Sequence, residues 1–137
     1  MSSAVVPVQF VTEEKNAPDY VAAIEKSGGK LGEPVKPWPI PPDLLDDYSD
    51  AQFEPLMMVS AAVAIGFLVK RISDVWLDHT RPGQVIDTRG KTIVVRVAPG
   101  LKHGDIVLQS EEGVQVFRSE HHDEAIPLLE KVLSVRG

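Results

Sequence analysis

The first apolar positions of the chain predict a short strand and helix. Valine and phenylalanine side chains between positions 5 and 11 favour a strand, and Pro7 places the start of that strand at a sheet edge or in an entry segment. Pro18 then opens a short helix through Ile24, which Ser27-Gly28-Gly29 ends. We interpret residues 1–33 as an N-terminal strand-helix arm.

A proline-rich strap follows this arm and has a different character. Prolines at positions 34, 37, 39, 41 and 42 predict an extended segment that is neither a helix nor a central strand. Trp38 and Ile40 lie within it. We interpret residues 34–50, here called the strap, as a linker between the arm and a main α+β domain at residues 51–137.

The longest apolar run of the chain extends from Pro55 to Val69. It contains no charge, and Ser60 is its one polar side chain. An amphipathic pattern follows Lys70-Arg71, so the sequence predicts one long helix over residues 51–78. Fifteen residues of helix span about 22 Å, less than the about 30 Å of a bilayer core. The run therefore favours a buried core helix, with an interface helix and a membrane segment as alternatives.

The rest of the chain reads as two hairpins and a helix. Residues 84–87 and 92–97 alternate around a turn with Gly90, and residues 106–109 and 114–118 flank a turn with Gly113. Asp123 can cap a final Leu-rich helix. The predicted fold is α+β: a long central apolar helix packed on a small antiparallel sheet of two hairpins plus a C-terminal helix, with the strand-helix arm attached.

Composition excludes several classes of function. The 137 residues carry a net charge of −6, and the β region holds a single aromatic residue, which argues against a nucleic-acid binder. The absence of cysteine removes disulfides, thiolate metal sites and cysteine nucleophiles, and it fits a reducing cytoplasm. The N-terminus has no pattern of a signal peptide, so we expect a cytoplasmic protein.

No residues show the spacing of a catalytic, cofactor or metal site. His121 and His122 stand beside Asp123 and Glu124, but adjacent side chains diverge and no metal-ligand spacing is present. Asp74 and Asp78 stand one turn apart, where an ion pair with Arg71 explains them. We predict no enzyme, no cofactor and no metal.

The order of elements in the second half of the chain resembles a known group of proteins. A small-residue apolar helix passes into residues 68–77, a hairpin follows around residues 87–95, and a Leu-rich helix closes the chain. Over residues 50–137 this layout is similar to the small effector-associated components of bacterial conflict systems. The resemblance implies a non-enzymatic accessory or adaptor module that accompanies an effector.

The sequence therefore predicts an accessory or adaptor protein that acts through protein–protein contacts of the apolar helix and the strap. We expect a protein partner or self-association, and no nucleic acid. The alternative is a membrane-associated protein anchored by residues 53–69, with a cytosolic β domain. The predicted contact residues are Trp38, Ile40, Phe53, Met57, Met58, Ala62, Phe67 and Trp76.

Overall fold

The computed structural model describes residues 5–44, 55–78, 83–98, 101 and 104–136, and within them eight strands form one sheet that three helices accompany. The strands are β1 Val5–Glu13, β2 Lys30–Leu31, β3 Lys36–Pro37, β4 Leu56–Ala64, β5 Gly83–Asp87, β6 Ile93–Ala98, β7 Asp105–Ser110 and β8 Gly113–Arg118. The helices are α1 Ala17–Lys26, α2 Ile65–Trp76 and α3 His122–Arg136.

The strand order in the sheet is β2-β4-β1-β6-β5-β7-β8, and β3 pairs with β4 beside β2. The pairs β1–β6 and β5–β7 are parallel, and the other pairs are antiparallel. The α+β class is confirmed, and both predicted hairpins are present as β5–β6 and β7–β8. The sheet is larger than the two predicted hairpins because β1, β2, β3 and β4 extend it.

Strand β1 is a central strand, so the prediction of an N-terminal arm was wrong. It pairs with β4 along its whole length and with β6 from Val8 to Val11. Pro7 is tolerated there for a geometric reason. The Ser60 carbonyl in β4 accepts the Gly32 N–H and so points away from β1, which means that the backbone groups of its neighbours Val59 and Ala61 point towards β1. Their partners Phe10 and Val8 therefore point their backbone groups at β4, and Pro7, which lies next to Val8, points its backbone nitrogen towards β6. Pairing with β6 begins only at Val8, one residue later.

The prediction of one long helix over residues 51–78 was also wrong. Residues 56–64 form strand β4, and the helix α2 begins at Ile65. β4 alternates between Val59, Ala61 and Val63, which are buried, and half-buried small residues between them. Because both sets of side chains are apolar or small, the period of two does not appear in the sequence as an alternation of polar and apolar residues.

One face of the sheet carries the helices and the main core. Phe10 of β1 packs beside Tyr20 of α1, with ring centroids 5.1 Å apart. Helix α2 buries its residues at helical spacing from Ile65 to Trp76, and α3 contributes Leu129 and Leu133. The buried core residues contributed by the strands include Val6, Val8, Val59, Val63, Ile86, Ile93, Val95, Ile106 and Leu108.

Residues 30–38, which comprise the end of the predicted arm and the first part of the strap, are docked along the outer edge of β4. Strands β2 and β3 pair with β4, the Gly32 N–H donates to Ser60 at 2.8 Å, and the Trp38 N–H donates to Leu56 at 2.9 Å. These bonds satisfy outward-facing carbonyls of β4. Proline has no backbone N–H, so the prolines of the strap offer no hydrogen-bond donor to a further strand.

The turn between β5 and β6 is held by a bidentate ion pair. The Arg89 guanidinium donates to both carboxylate oxygens of Asp87 at 3.0 Å and reaches Gln109 of β7 at 3.3 Å. The hydrogen bond from the Arg89 side chain lowers the pKa of Asp87 below its ordinary value of 3.8, assisted by the Arg89 backbone N–H and by the charges of Arg89 and Arg96, while burial opposes the shift.

This lowered pKa predicts a contribution to stability that depends on pH. A carboxyl group whose pKa is lower in the folded than in the unfolded state stabilises the fold above the unfolded value, and that contribution is lost as pH falls through the folded value. As pH falls through and below the ordinary aspartate value of 3.8, we expect the unfolding free energy of Asp87→Asn to fall less than that of the wild type. Urea titrations at each pH measure this difference. Asp19→Asn, an exposed carboxylate on α1, is the control, and an equal effect of both variants would contradict the assignment.

Candidate functional site

The structure disperses the contact residues that the sequence predicted. Trp38 and Ile40 are half-buried in the docked strap. Trp76 is a core residue, 2% exposed, and its indole N–H donates to the Gly104 carbonyl at 2.7 Å. Its side chain is therefore not available at the surface.

The predicted residues of the apolar run are divided between two faces of the sheet. Met57 lies opposite Thr12 on the helix-covered face, whereas Met58 is buried on the other face. Ala62 is half-buried in β4, and Phe67 is half-buried in α2. Phe53 lies outside the described residues. The helix 53–69 that was expected to carry partner contacts is thus mostly a strand.

The membrane alternative depended on that same helix. Residues 56–64 pair on both sides within the sheet, with β1 on one side and with β2 and β3 on the other. Among the residues that the structure describes, no helix combines the length and the apolar character that crossing a membrane requires.

The two edges of the sheet differ in a way that points to a binding surface. Strand β2 and the strap strand β3 cover the β4 edge. At the opposite edge, β8 pairs with β7 on its inner side, and none of the described strands pairs with its outer side. An uncovered strand edge presents backbone donors and acceptors to any extended chain that approaches it.

The backbone groups that face outward on β8 follow from the ladder. The Gln109 carbonyl accepts the Thr88 N–H at 2.9 Å, so the backbone groups of Gln109 point towards β5, and those of its neighbours Leu108 and Ser110 point towards β8. The partners of these two residues on β8 are Gln115 and Gly113, whose backbone N–H and C=O groups therefore point towards β7. The residues between and beyond these partners turn their N–H and C=O groups outward; they are Val114, Val116 and Arg118.

Large apolar side chains are exposed beside this edge. Val114 is 63% exposed and Val116 is 56% exposed, and both side chains project from the sheet face opposite the helices, because their neighbours Gln115 and Phe117 pair with the core residues Leu108 and Ile106. Leu128 of α3, on the helix-covered face, is 50% exposed. These three residues and the outer edge of β8 are here called the β8 surface. Exposed apolar side chains therefore flank this strand edge on both faces of the sheet.

A groove between β8 and α3 completes the β8 surface. Two hollows meet at Leu128, one of about 500 Å³ beside Val116 and Phe117, and one of about 680 Å³ beside Gln115 and Lys131. Side chains of a strand added to β8 would enter these hollows alternately, since successive residues on one face of a strand lie about 7 Å apart. The groove therefore suits an extended polypeptide.

A second cluster has the order of a hydrolytic triad. The Ser73 hydroxyl lies 2.7 Å from Nε2 of His122, and Nδ1 of that ring lies 3.3 Å from the Asp123 carboxylate. The Asp123 carboxylate is fully exposed to water and belongs to the residue next to His122. In a hydrolytic triad, by contrast, the carboxylate is buried and orients the imidazole. The imidazole packs on Trp76, with ring centroids 4.9 Å apart. We interpret these contacts as a clamp that fixes the start of α3 on α2.

The other polar groups considered from the sequence do not converge. The Arg71 guanidinium lies over the Tyr20 ring at 4.3 Å from its centroid, a cation–π contact, and Asp74 is exposed. His121 lies within 4 Å of Glu120 and Glu124 on the surface. In the described part of the chain, no three histidine or carboxylate side chains are grouped closely enough to hold a metal ion.

Comparison with known proteins found no match in any of three searches. No protein-family model matches the chain, and no curated protein or solved structure matches it either.

Proposed function

We propose that the chain is a non-catalytic accessory protein that binds an extended segment of a partner protein along the β8 surface. The single observation that carries this proposal is the uncovered outer edge of β8 with Val114 and Val116 exposed beside it. Main-chain hydrogen bonds to an edge strand provide affinity in this mode of recognition, and hollows for alternate side chains provide specificity.

The asymmetry of the sheet supports the proposal. A bare, apolar strand edge promotes aggregation, and proteins usually cover or charge such an edge. In the described part of the chain, β2 and the strap cover the β4 edge, whereas β8 has no strand on its outer side and exposes Val114 and Val116. A partner strand that pairs with β8 would cover this exposed edge. An accessory role of this kind is also what the layout resemblance implies.

Val116→Pro tests the proposal with little disturbance of the sheet. The Val116 N–H faces outward, so proline removes a donor to the partner and keeps the ladder with β7. The probe is a displayed library of random 12-residue peptides selected on the wild-type protein. We expect the recovered peptides to bind Val116→Pro about tenfold more weakly, because backbone hydrogen bonds to the edge are lost.

Val5→Pro is the matched control for this experiment. Val5 is also an exposed strand valine, and its backbone nitrogen faces the side of β1 where pairing with β6 has not yet begun. Recovered peptides should bind this variant as they bind the wild type. Circular dichroism verifies that both variants are folded. Equal binding to the wild type and Val116→Pro would contradict the proposal.

A further inference from the structure

The rim of the groove between β8 and α3 carries an excess of acidic side chains. Glu111 and Glu112 lie at the end with the larger hollow, and Glu120 and Glu124 lie at the other end. Two basic side chains, Arg118 and Lys131, line the same hollows. The four carboxylates outnumber the basic side chains of the rim even when His121 is counted among them.

Between these acidic ends, the floor of the groove includes apolar side chains. Leu128 separates the two hollows, and Phe117 packs against the core beneath one of them. A bound strand would place its inward side chains on this apolar floor. Its flanking side chains would lie near the glutamates, where opposite charge steers and selects a partner.

We infer that the partner segment is basic: an extended strand with apolar residues at alternate positions and with lysine or arginine residues flanking them. This inference rests on the proposed function, since it assigns the chemistry of the segment that the β8 surface binds. The apolar positions match Leu128 and the hollows beside it. The basic positions match Glu120 and Glu124 at one end and Glu111 and Glu112 at the other.

A second copy of the chain fits this surface less well. Each copy has a net charge of −6, and a β8–β8 pair would bring two acidic rims together. Like charges that face each other across an interface oppose association. Charge complementarity therefore favours a basic segment of a different protein.

The composition of selected peptides tests the inference. The random 12-residue library is selected on the wild-type protein at low salt, and peptides that also bind Val116→Pro are removed. We expect the remaining peptides to alternate apolar residues and to carry an excess of lysine and arginine. Glu124→Lys should weaken their binding about tenfold, whereas Glu25→Lys, which changes the net charge equally on the distant helix α1, should leave binding unchanged.

The possible results separate this inference from the proposed function. Peptides that require the β8 edge but show no basic excess, or that bind Glu124→Lys and Glu25→Lys equally, would overturn the inference and leave the proposed function intact. Absence of any peptide that distinguishes the wild type from Val116→Pro would overturn both. A dimer that Val116→Pro abolishes would show that a second copy occupies the edge, and it would overturn the inference.

Discussion

Replacing Phe10 with alanine is expected to lower the free energy of unfolding by about 3–5 kcal/mol. The Phe10 side chain is 1% exposed in central strand β1, opposite Val59, and it packs on the Tyr20 ring. Its removal leaves a cavity between the sheet and α1. Since whole domains of this size are stable by about 5–15 kcal/mol, the loss is a large part of the total.

The same experiment distinguishes a central strand from an arm. If β1 belongs to the main sheet, urea unfolding followed by Trp76 fluorescence, measured in a Trp38→Phe background so that Trp76 is the one tryptophan, should shift as much as unfolding followed by circular dichroism. Gln9→Ala is the control, because this half-buried side chain lies on the opposite face of β1 and its loss should cost less than about 1 kcal/mol. An unchanged Trp76 transition in Phe10→Ala would contradict the central position of β1.

Replacing Trp76 with alanine is expected to have an effect of similar size, about 3–5 kcal/mol. The indole is buried in the core between α2 and the start of α3, where it contacts the His122 ring. Its N–H donates to the Gly104 carbonyl, so the substitution also removes the partner of that carbonyl. Urea unfolding followed by circular dichroism measures the loss.

Two comparison variants isolate the causes of this effect. Trp76→Phe keeps most of the apolar volume and removes the indole donor, so its cost should be smaller than that of alanine. Leu77→Ala changes the adjacent residue, which is 51% exposed, and should cost little. If Trp76→Ala left stability intact but impaired binding of β8-selected peptides, Trp76 would be a contact residue, as the sequence had indicated.

Local patterns in the sequence predicted much of the β region. Ile93, Val95 and Val97 alternate with other residues, and the structure buries all three in β6. The turns around Gly90 and Gly113 were also located correctly. Gly113 has a positive φ of 131°, whereas Gly90, which was expected to need one, does not. Such turns depend on a few neighbouring residues, so they are readable without knowledge of the tertiary structure.

The long-range features were not readable in the same way. Residues 56–64 contain good helix formers, yet pairing with β1 makes them a strand. This tertiary pairing outweighs intrinsic helix propensity, even that of alanine. The same error led to the prediction that β1 is part of an arm. A central strand needs a partner on each side, and β4, one of the two partners of β1, was predicted to be a helix.

The candidate site could be predicted only in part. The hairpin that contains Val114 and Val116 was expected, but its exposure depends on strand order. Nothing local distinguishes β8, at an edge, from β6, which lies between β1 and β5. Leu128 likewise looked like a core position of the last helix until the structure showed it half exposed beside the groove.

Hydrogen exchange of the β8 amides in the isolated protein tests directly whether the outer edge of β8 is uncovered and available to a partner strand. We expect fast exchange at Val114 and Val116, whose N–H groups face outward, and slow exchange at Gln115 and Phe117, whose N–H groups bond to β7. Addition of a β8-dependent peptide should slow exchange at Val114 and Val116. Slow exchange at Val114 and Val116 without any peptide would contradict the proposal that β8 binds a partner strand, because it would show that the β8 edge is already covered.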